Sequence, residues 1–279
     1  MDSQTSKAQL RSRIRAARAD RSPAEAVPAS SSSVTTASPQ PIPAEADPTT
    51  APLPDSASAG GPVTPAGTVA AAAWDLIRET PVRSLLAYAA LPGEPDLDPA
   101  LDQFLAAGGT VYLPVVTKVG EPLVFGKVTD SMASLRPQGR WGIREPARDG
   151  ELLTAAQLLS PTIGLGIVFV PALGFGTDGA RLGNGGGFYD RTFGPQGAEP
   201  LDSGVLGSGL PASESPGSGR NGSVPPGSVP NGLAASGSGP RIVGVCFADE
   251  LELPGLVAAD WDLRIPEAVT DDGTHIFTA

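Results

Sequence analysis

Residues 171–191 read PALGFGTDGARLGNGGGFYDR, a stretch that combines a loop dense in glycine with cationic, aromatic and acidic side chains. The apolar residues 167–170 precede it and end at Pro171, as a buried strand does where a loop begins. Glycine permits positive φ and close approach to a ligand, so the backbone N–H groups of such a loop can converge on an anion. A helix that begins directly after the glycines would add its positive end. Five of the seven glycines in this stretch fall within nine positions: Gly179, Gly183, Gly185, Gly186 and Gly187.

Two interpretations of this loop compete. It is either a flexible surface loop or a site that binds phosphate groups through its backbone. Three features favour the phosphate site: a predicted strand precedes the loop, Arg181 lies within it, and Asp190 follows it. The stretch contains no GxxxxGK[ST] motif and no clean GxGxxG motif, because no predicted helix directly follows the matching letters at residues 174–179. The residues alone therefore predict an anion site and no particular nucleotide.

Composition divides the 279 residues into one folded domain and two low-complexity segments. Residues 22–67 consist largely of Pro, Ala, Ser and Thr, and residues 195–239 of Gly, Ser and Pro. Neither segment has the apolar side chains that would offset the entropy of ordering it, so we predict two disordered inserts. The predicted domain comprises a basic N-terminal helix at 1–21 and an α/β catalytic domain in two parts, 68–194 and 240–279.

Charge and residue counts exclude several classes of protein. A net charge of −11 argues against nucleic acid as a partner, because the phosphate backbone would repel the chain. Cys246 is the only cysteine, which excludes a disulfide framework and favours a reducing cytosol. His275 is the only histidine, so we expect no histidine-based catalytic triad. With no apolar run near the roughly 20 residues of a membrane span, we expect a cytoplasmic protein that contacts no membrane.

Apolar patterns predict alternating helices and strands. The predicted helices cover residues 3–18, 68–79, 98–107 and 151–159. The predicted strands cover residues 84–90, 110–116, 122–128, 166–170 and 241–247. We expect residues 122–128 to pair with the preceding strand as a hairpin, and the alternation as a whole to form one open, mostly parallel sheet flanked by helices. Such sheets bind ligands beyond the carboxyl ends of their strands.

Three features outside the loop are candidates for the site, and each has a simpler alternative. Glu94 follows the predicted strand 84–90, where it is either a ligand contact or a solvated turn acid. Asp262 lies in a polar turn, where aspartate is usually a turn former. Residues 3–18 form a basic amphipathic helix that is also compatible with a transit peptide, a basic tail or a helix whose cations face water.

The order of residues in RLGNGGGFYDR, with PALGF ahead of it, closely resembles the signature of the 5-formyltetrahydrofolate cyclo-ligase family, also called methenyltetrahydrofolate synthetases. The pattern Lys7-x-x-Leu10-Arg11 is similar to the N-terminal helix of that family. The resemblance covers essentially all of the chain outside the two predicted inserts. It implies an open α/β sheet similar to that of sugar-phosphate isomerases and coenzyme A transferases.

The same resemblance implies an ATP- and magnesium-dependent ligase. Its formyl substrate, 5-formyltetrahydrofolate, attacks ATP through the formyl oxygen, and nitrogen 10 then displaces phosphate from the phosphorylated intermediate. The products are 5,10-methenyltetrahydrofolate, ADP and phosphate. Such chemistry depends on alignment and charge neutralisation more than on a protein nucleophile, which agrees with the lack of a histidine base. We expect a monomer that acts on this small molecule.

Individual site residues follow from the resemblance, position by position. Nucleotide contacts are implied for Lys7, Arg11, Arg181, Leu182, Gly183, Asn184, Gly185, Gly186, Gly187, Phe188 and Tyr189. Folate contacts are implied for Ala89, Glu94 and the overlapping residues 184–188. Magnesium coordination is implied for Asp190 and Asp262, and catalytic roles for Arg181, Asp190 and Glu94. Two aspartates beside a phosphate site suit Mg-ATP, because magnesium keeps waters and phosphate oxygens among its ligands.

Some positions depart from the family pattern. The glycine-rich stretch differs from many relatives at Gly176, Asn184 and Gly186. Trp261 stands where the family has the histidine of a His-Asp step, while Asp262 keeps the carboxylate. The main alternative to the enzyme is a relative that binds folate or nucleotide without turnover, for storage or regulation. A sugar-phosphate isomerase on the same sheet is a weaker alternative, and it would need no ATP.

Overall fold

A computed structural model describes residues 3–21, 67–139, 142–148, 150–201 and 239–278. The helices within these ranges are α1 (Ser3–Arg21), α2 (Val69–Glu79), α3 (Asp98–Ala106), α4 (Ala155–Leu158) and α5 (Phe188–Phe193). The strands are β1 (Ser84–Leu86), β2 (Thr110–Val115), β3 (Val124–Lys127), β4 (Arg136–Gln138), β5 (Ile143–Glu145), β6 (Leu152–Leu153), β7 (Leu165–Pro171), β8 (Gly174–Phe175), β9 (Arg181–Leu182), β10 (Arg241–Val245), β11 (Glu267–Thr270) and β12 (Gly273–Ile276).

Eight of these strands form one sheet in the order β12-β11-β10-β7-β1-β2-β3-β6. The five strands from β11 to β2 run parallel, and antiparallel strands lie at both edges. The predicted open, mostly parallel sheet is therefore confirmed, together with the β2–β3 hairpin. Strands β4 and β5 form a separate ribbon, as do β8 and β9.

Alternation along the strands separates two apolar cores, one on each face of the sheet. Leu85, Val111 and Phe169 enter the core beneath α2 and α3. Their neighbours Leu86 and Val168 enter the opposite core, to which α4 and α5 contribute. Because successive side chains of a strand point to opposite faces, the branched and aromatic runs bury both faces of the parallel strands.

Helix α1 packs outside these two cores, in a third apolar cluster. Leu10 and Ile14 are buried there against Leu173, Leu182 and Leu256. The apolar stripe of α1 thus covers the segments on either side of β8 and β9, and the basic residues of the helix come to lie beside the glycine-rich loop. None of the helices within the described ranges has the length and apolar character of a membrane span.

Two predicted elements differ from the structure. The predicted helix 151–159 is wrong at its start, because a capping box begins the helix only after Thr154. There the amide of Gln157 donates to Thr154 Oγ1 (3.3 Å) and the amide of Thr154 donates to Gln157 Oε1 (2.8 Å). Residues 152–153 pair with β3 instead. The predicted strand 84–90 ends at Leu86, and residues 87–90 have no regular secondary structure.

The predicted inserts 22–67 and 195–239 lie almost entirely outside the described residues. Residues 195–201 are described and return toward α5. The amide of Ala198 donates to the carbonyl of Arg191 (2.8 Å), and the amide of Leu201 to that of Phe193 (3.1 Å).

Cys246 should be chemically inert in the folded protein. Its side chain is fully buried beyond the end of β10, and burial raises the pKa of the thiol far above its ordinary value. We expect no labelling of the native protein by a disulfide reagent at pH 8, and one equivalent released per denatured chain, since the sequence contains one cysteine. Labelling of the native protein at the rate of the denatured chain would contradict this burial.

Candidate active site

A cleft of about 1240 Å3 opens at the carboxyl ends of β1, β2 and β7. Its walls come from the segments that follow these strands, from one face of α1, from residues 183–187 and from residues 257–262. This is the edge at which open α/β sheets bind ligands. The fold therefore places the glycine-rich loop at the position that the sheet architecture reserves for a site.

Most of the residues predicted for the site line this one cleft. They are Lys7, Arg11, Ala89, Glu94, Arg181, Gly183, Asn184, Gly185, Gly186, Gly187, Phe188, Tyr189, Asp190 and Asp262. Leu182 is placed differently, because its side chain is fully buried in the cluster with Leu10 and Ile14. Alternation along β9 turns Arg181 toward the cleft and Leu182 toward the core, so the leucine supports the site through packing.

The glycine-rich loop offers free backbone donors to the cleft. Gly185 and Gly187 have φ values of 98° and 62°, the left-handed region that favours glycine. No residue in the described part of the chain accepts a hydrogen bond from the amides of Gly185, Gly186 or Gly187. Successive free amides at the wall of a cleft are the arrangement that binds a phosphate or carboxylate.

Helix α1 contributes a stripe of cations spaced by four residues. Lys7 Nζ donates to Asp262 Oδ2 (2.8 Å), Arg11 Nε donates to the carbonyl of Gly183 (2.9 Å), and Arg15 Nη2 donates to the carbonyl of Asn184 (2.9 Å). Side chains four positions apart lie on one face of a helix, so all three reach the cleft. Arg15 was missed by the sequence prediction, although its spacing from Lys7 and Arg11 would have found it.

A buried ion pair holds α1 in this position. Arg18 Nε and Nη2 donate to the two oxygens of Glu250 (2.8 and 2.7 Å), and Arg18 Nη2 also donates to the carbonyl of Ala172 (2.8 Å). The two side chains are only 5% and 3% exposed. Burial alone would lower the pKa of Arg18, but the hydrogen bonds and charge of Glu250 outweigh it and raise that pKa. Arg18 thus stays charged, and its contacts with Glu250 and Ala172 fix the cation stripe beside the loop.

Asp190 is held by a second ion pair, at the floor of the cleft. Arg181 Nη2 donates to both of its oxygens (2.9 Å each), and the amide of Leu263 donates to its Oδ1 (3.2 Å). Burial pushes the pKa of Asp190 upward, but the charge and hydrogen bonds of Arg181 and the Leu263 amide outweigh burial, so the pKa is lowered. Asp190 is therefore an anion at neutral pH.

Asp262 reaches the cleft because its segment is anchored to a glycine. Its Oδ2 accepts hydrogen bonds from Lys7 Nζ (2.8 Å) and from the amide of Ala259 (2.9 Å). Three residues later the amide of Ile265 donates to the carbonyl of Gly179 (3.1 Å). Only glycine fits there, because φ is 73° and a Cβ would stand 2.1 Å from the carbonyl oxygen of Ile265.

The two aspartates suit magnesium bound together with phosphate. No group of three or more His, Cys, Asp or Glu within the described ranges forms a metal cage. Asp190 and Asp262 line the same cleft, and magnesium takes few protein carboxylates when water and phosphate oxygens complete its shell. Each carboxylate is paired with a cation, Arg181 or Lys7, so a metal would share or replace those contacts.

Glu94 joins the loop after β1 to the glycine-rich loop. Its Oε1 accepts a hydrogen bond from Asn184 Nδ2 (3.0 Å), and its Oε2 accepts one from the amide of Leu91 (3.0 Å). Nearby, Tyr88 Oη donates to the carbonyl of Pro95 (2.6 Å), which fixes the course of the loop. Glu94 is therefore a positioned carboxylate at the cleft and differs from a free turn acid.

Sequence prediction missed two charged residues of β5 that line the cleft. Glu145 Oε1 accepts a hydrogen bond from the amide of Val116 (3.1 Å), and Glu145 Oε2 pairs with Arg148 Nη2 (2.7 Å). Arg144 pairs with Asp98 (2.6 Å). No apolar periodicity marks this short strand, and its only strand partner is β4, so the sequence carried no signal that would place it at the site.

Three buried polar atoms that border the cleft have no partner in the described part of the chain. They are Arg18 Nη1, Arg181 Nε and Tyr189 Oη. A buried donor without an acceptor costs free energy that a polar ligand would recover. These three atoms are buried within residues that line the cleft, whereas the free amides of Gly185 to Gly187 suit a ligand that carries acceptor oxygens.

Fold and site together define an α/β protein with a cleft at the carboxyl edge of its sheet, lined by cations, carboxylates and backbone amides without acceptors. The sequence model of the 5-formyltetrahydrofolate cyclo-ligase family matches residues 63–206, just over half of the chain. The protein belongs to that family.

Named relatives agree with this family. The chain is 36% identical to a 5-formyltetrahydrofolate cyclo-ligase of Mycolicibacterium smegmatis over 115 residues, which cover 39% of this chain and 54% of the relative. It is 34% identical to the Escherichia coli 5-formyltetrahydrofolate cyclo-ligase over 110 residues, covering 38% and 54%. The chain thus spans about half the length of these curated relatives. The NMR structure of Aquifex aeolicus 5,10-methenyltetrahydrofolate synthetase matches 75% of this chain and 81% of its own, with 18% identity and a TM-score of 0.44.

Proposed function

We propose that the protein catalyses the ATP- and magnesium-dependent cyclisation of 5-formyltetrahydrofolate to 5,10-methenyltetrahydrofolate, with release of ADP and phosphate. One observation carries the proposal: a single cleft unites the cation stripe of α1, the free amides of the glycine-rich loop and the carboxylates Asp190, Asp262 and Glu94. A family member that only stored folate would have no need of all three carboxylates. We also propose a monomer in the reducing cytosol, where the buried thiol of Cys246 would stay free.

One half of the cleft is suited to the nucleotide. Lys7 and Arg11 of α1 and residues 185–187 line the same cleft, so phosphate oxygens bound there would have donors available from both segments. Asp190 and Asp262 would hold the metal, which supplies neutralisation of phosphate charge when bound. The protein itself would contribute alignment, since preorganised donors cost no reorganisation during the reaction.

The other half is suited to the folate. It lies beyond β1 and β2, with Ala89 and Glu94 on one wall and the apolar side chains of Val116 and Leu123 on another. A flat pterin would pack between apolar walls while Glu94 accepts hydrogen bonds from its polar edge. Asn184 of the glycine-rich loop donates a hydrogen bond to Glu94, so the nucleotide half and the folate half of the cleft meet at this contact. A formyl oxygen placed there would lie next to the phosphate donors.

Absorbance in the near ultraviolet tests this function directly, because the methenyl product absorbs there. Purified protein is incubated with 5-formyltetrahydrofolate in three mixtures. One contains ATP and magnesium, one contains magnesium but no ATP, and one contains ATP but no magnesium. We expect the absorbance to rise only in the complete mixture. Calorimetric binding of folate and ATP without any rise would instead favour the non-catalytic relative.

Replacing Lys7 by alanine should raise the Michaelis constant for ATP about tenfold or more, the size of a lost charge-assisted hydrogen bond. The turnover number should fall less, because the other phosphate donors remain. Arg13→Ala is the matched control: Arg13 lies on the exposed side of the same helix and does not line the cleft. An unchanged Michaelis constant in Lys7→Ala would show that the first cation of the stripe does not reach the nucleotide.

A further inference from the structure

The segment that carries Asp262 hides both of its ends and exposes its middle at the rim of the cleft. Leu256 and Leu263 are buried, whereas Val257 and Trp261 are 63% and 56% exposed. Four large apolar side chains are exposed in the described part of the chain, and two of them stand together at this rim. An indole left in water beside a ligand cleft is an unused apolar surface that a flat group can cover.

The backbone around Trp261 is firmly held. The amide of Asp262 donates to the carbonyl of Ala259 (3.0 Å), and the next amide, of Leu263, donates to Asp190 Oδ1 (3.2 Å). A side chain mounted between two such contacts has a defined position relative to the carboxylates. Trp261 therefore projects from a fixed stretch of backbone next to the polar site, where its indole can serve as a stacking platform.

From this geometry we infer that Trp261, flanked by Val257, stacks on the base of the nucleotide. The inference rests on the proposed function and adds a residue that binds the base. Trp261 adjoins Asp262, whose carboxylate pairs with Lys7 at the phosphate-binding half. A nucleotide whose phosphates meet Lys7 would carry its base toward the rim where the indole lies, and aromatic side chains hold bases by stacking.

The folate is a less suitable occupant of this platform. Its proposed contacts, Ala89 and Glu94, follow β1, whereas the Trp261 segment follows β10, and β7 lies between these two strands. Two strand spacings amount to roughly 10 Å. The segment is instead bound to Asp190 and Gly179, on the side of the cleft that carries the aspartates.

Calorimetry with two probes separates base stacking from phosphate binding. Magnesium-ATP and magnesium tripolyphosphate are titrated into the full-length wild type, Trp261→Ala and Trp261→Phe. We expect Trp261→Ala to weaken ATP about tenfold, within the range for a lost stacked base, and to leave tripolyphosphate within about twofold. Trp261→Phe should recover most of the ATP affinity. Ile276→Ala is the matched control, since that side chain is 69% exposed on β12 and does not line the cleft.

The other outcomes overturn one proposal or the other. If Trp261→Ala weakens both probes equally, or weakens neither, the indole does not stack on the base. 5-Formyltetrahydrofolate is titrated into the same proteins, and if Trp261→Ala weakens its binding and not that of ATP, the indole binds the folate instead. A wild type that binds neither ATP nor tripolyphosphate would overturn the proposed function itself. Equal thermal unfolding midpoints for the three proteins establish that the variants are folded.

Discussion

Replacing Asp190 by asparagine is expected to reduce turnover by about a hundredfold or more, as the loss of a group that holds metal and transition-state charge does. The substitution keeps the shape of the side chain and removes its charge. It also leaves the Arg181 guanidinium, whose side chain is 6% exposed, without its ionic partner. An uncompensated buried cation is destabilising, so a lower unfolding midpoint should accompany the lost activity.

Asp178→Asn is the matched control for this variant. Asp178 also pairs with an arginine, Arg264 (2.9 Å). The side chains of Asp178 and Arg264 are 34% and 45% exposed, and neither residue lines the cleft. We expect its turnover to stay near that of the wild type in the near-ultraviolet assay. Retained binding of 5-formyltetrahydrofolate by Asp190→Asn would show that the folate half is intact. Turnover within about threefold of wild type would refute a role for Asp190 in charge stabilisation.

Glu250→Gln is expected to release α1 from the domain. The substitution removes the negative charge from a pair that is almost fully buried, and breaking such a pair costs about 3–5 kcal/mol. Arg18 would then lie in the same pocket without its paired carboxylate, and α1 would lose part of the tertiary packing that stabilises helices in proteins. Trypsin cleavage within α1, which contains several arginines, should accelerate about a hundredfold or more.

The neighbouring Asp249→Asn provides the comparison. Asp249 pairs with Arg21, but its side chain is 66% exposed, and exposed ion pairs contribute about 0–1 kcal/mol. The chemical change is the same and the two positions are adjacent, but Glu250 is buried and binds both Arg18 and Arg21, whereas Asp249 is exposed and binds only Arg21 among the contacts described. Equal cleavage rates for Glu250→Gln and Asp249→Asn would show that the buried pair does not hold α1 in place.

Local patterns were sufficient to predict most of the fold. The Ala-rich run 68–79 predicted α2, and the branched runs predicted β2, β7 and β10 within a residue or two. Alternation of helices and strands then implied the parallel sheet. The short β6 could not be foreseen, because the capping box that begins α4 leaves only two residues for pairing, too few for any periodicity.

The site was less accessible to local reasoning. The residues alone indicated an anion site around the glycines, and the resemblance was needed to connect Lys7, Glu94 and Asp262 to it. Arg18 and Glu250 are 232 positions apart, so nothing in either neighbourhood marks them as partners. Long-range contacts of this kind form when helices and strands pack against one another, and local sequence patterns do not show which elements will pack together.

The third apolar cluster and the buried ion pair attach α1 to a domain from which it is distant in sequence. In sequence, residues 22–66 separate the helix from Gly67. In the structure, the contacts described above for Leu10, Ile14 and Arg18 are all with groups beyond residue 170. It therefore stands to the rest of the molecule as a tethered ligand stands to its receptor. Its occupancy depends on intrinsic affinity multiplied by an effective concentration set by the connecting chain.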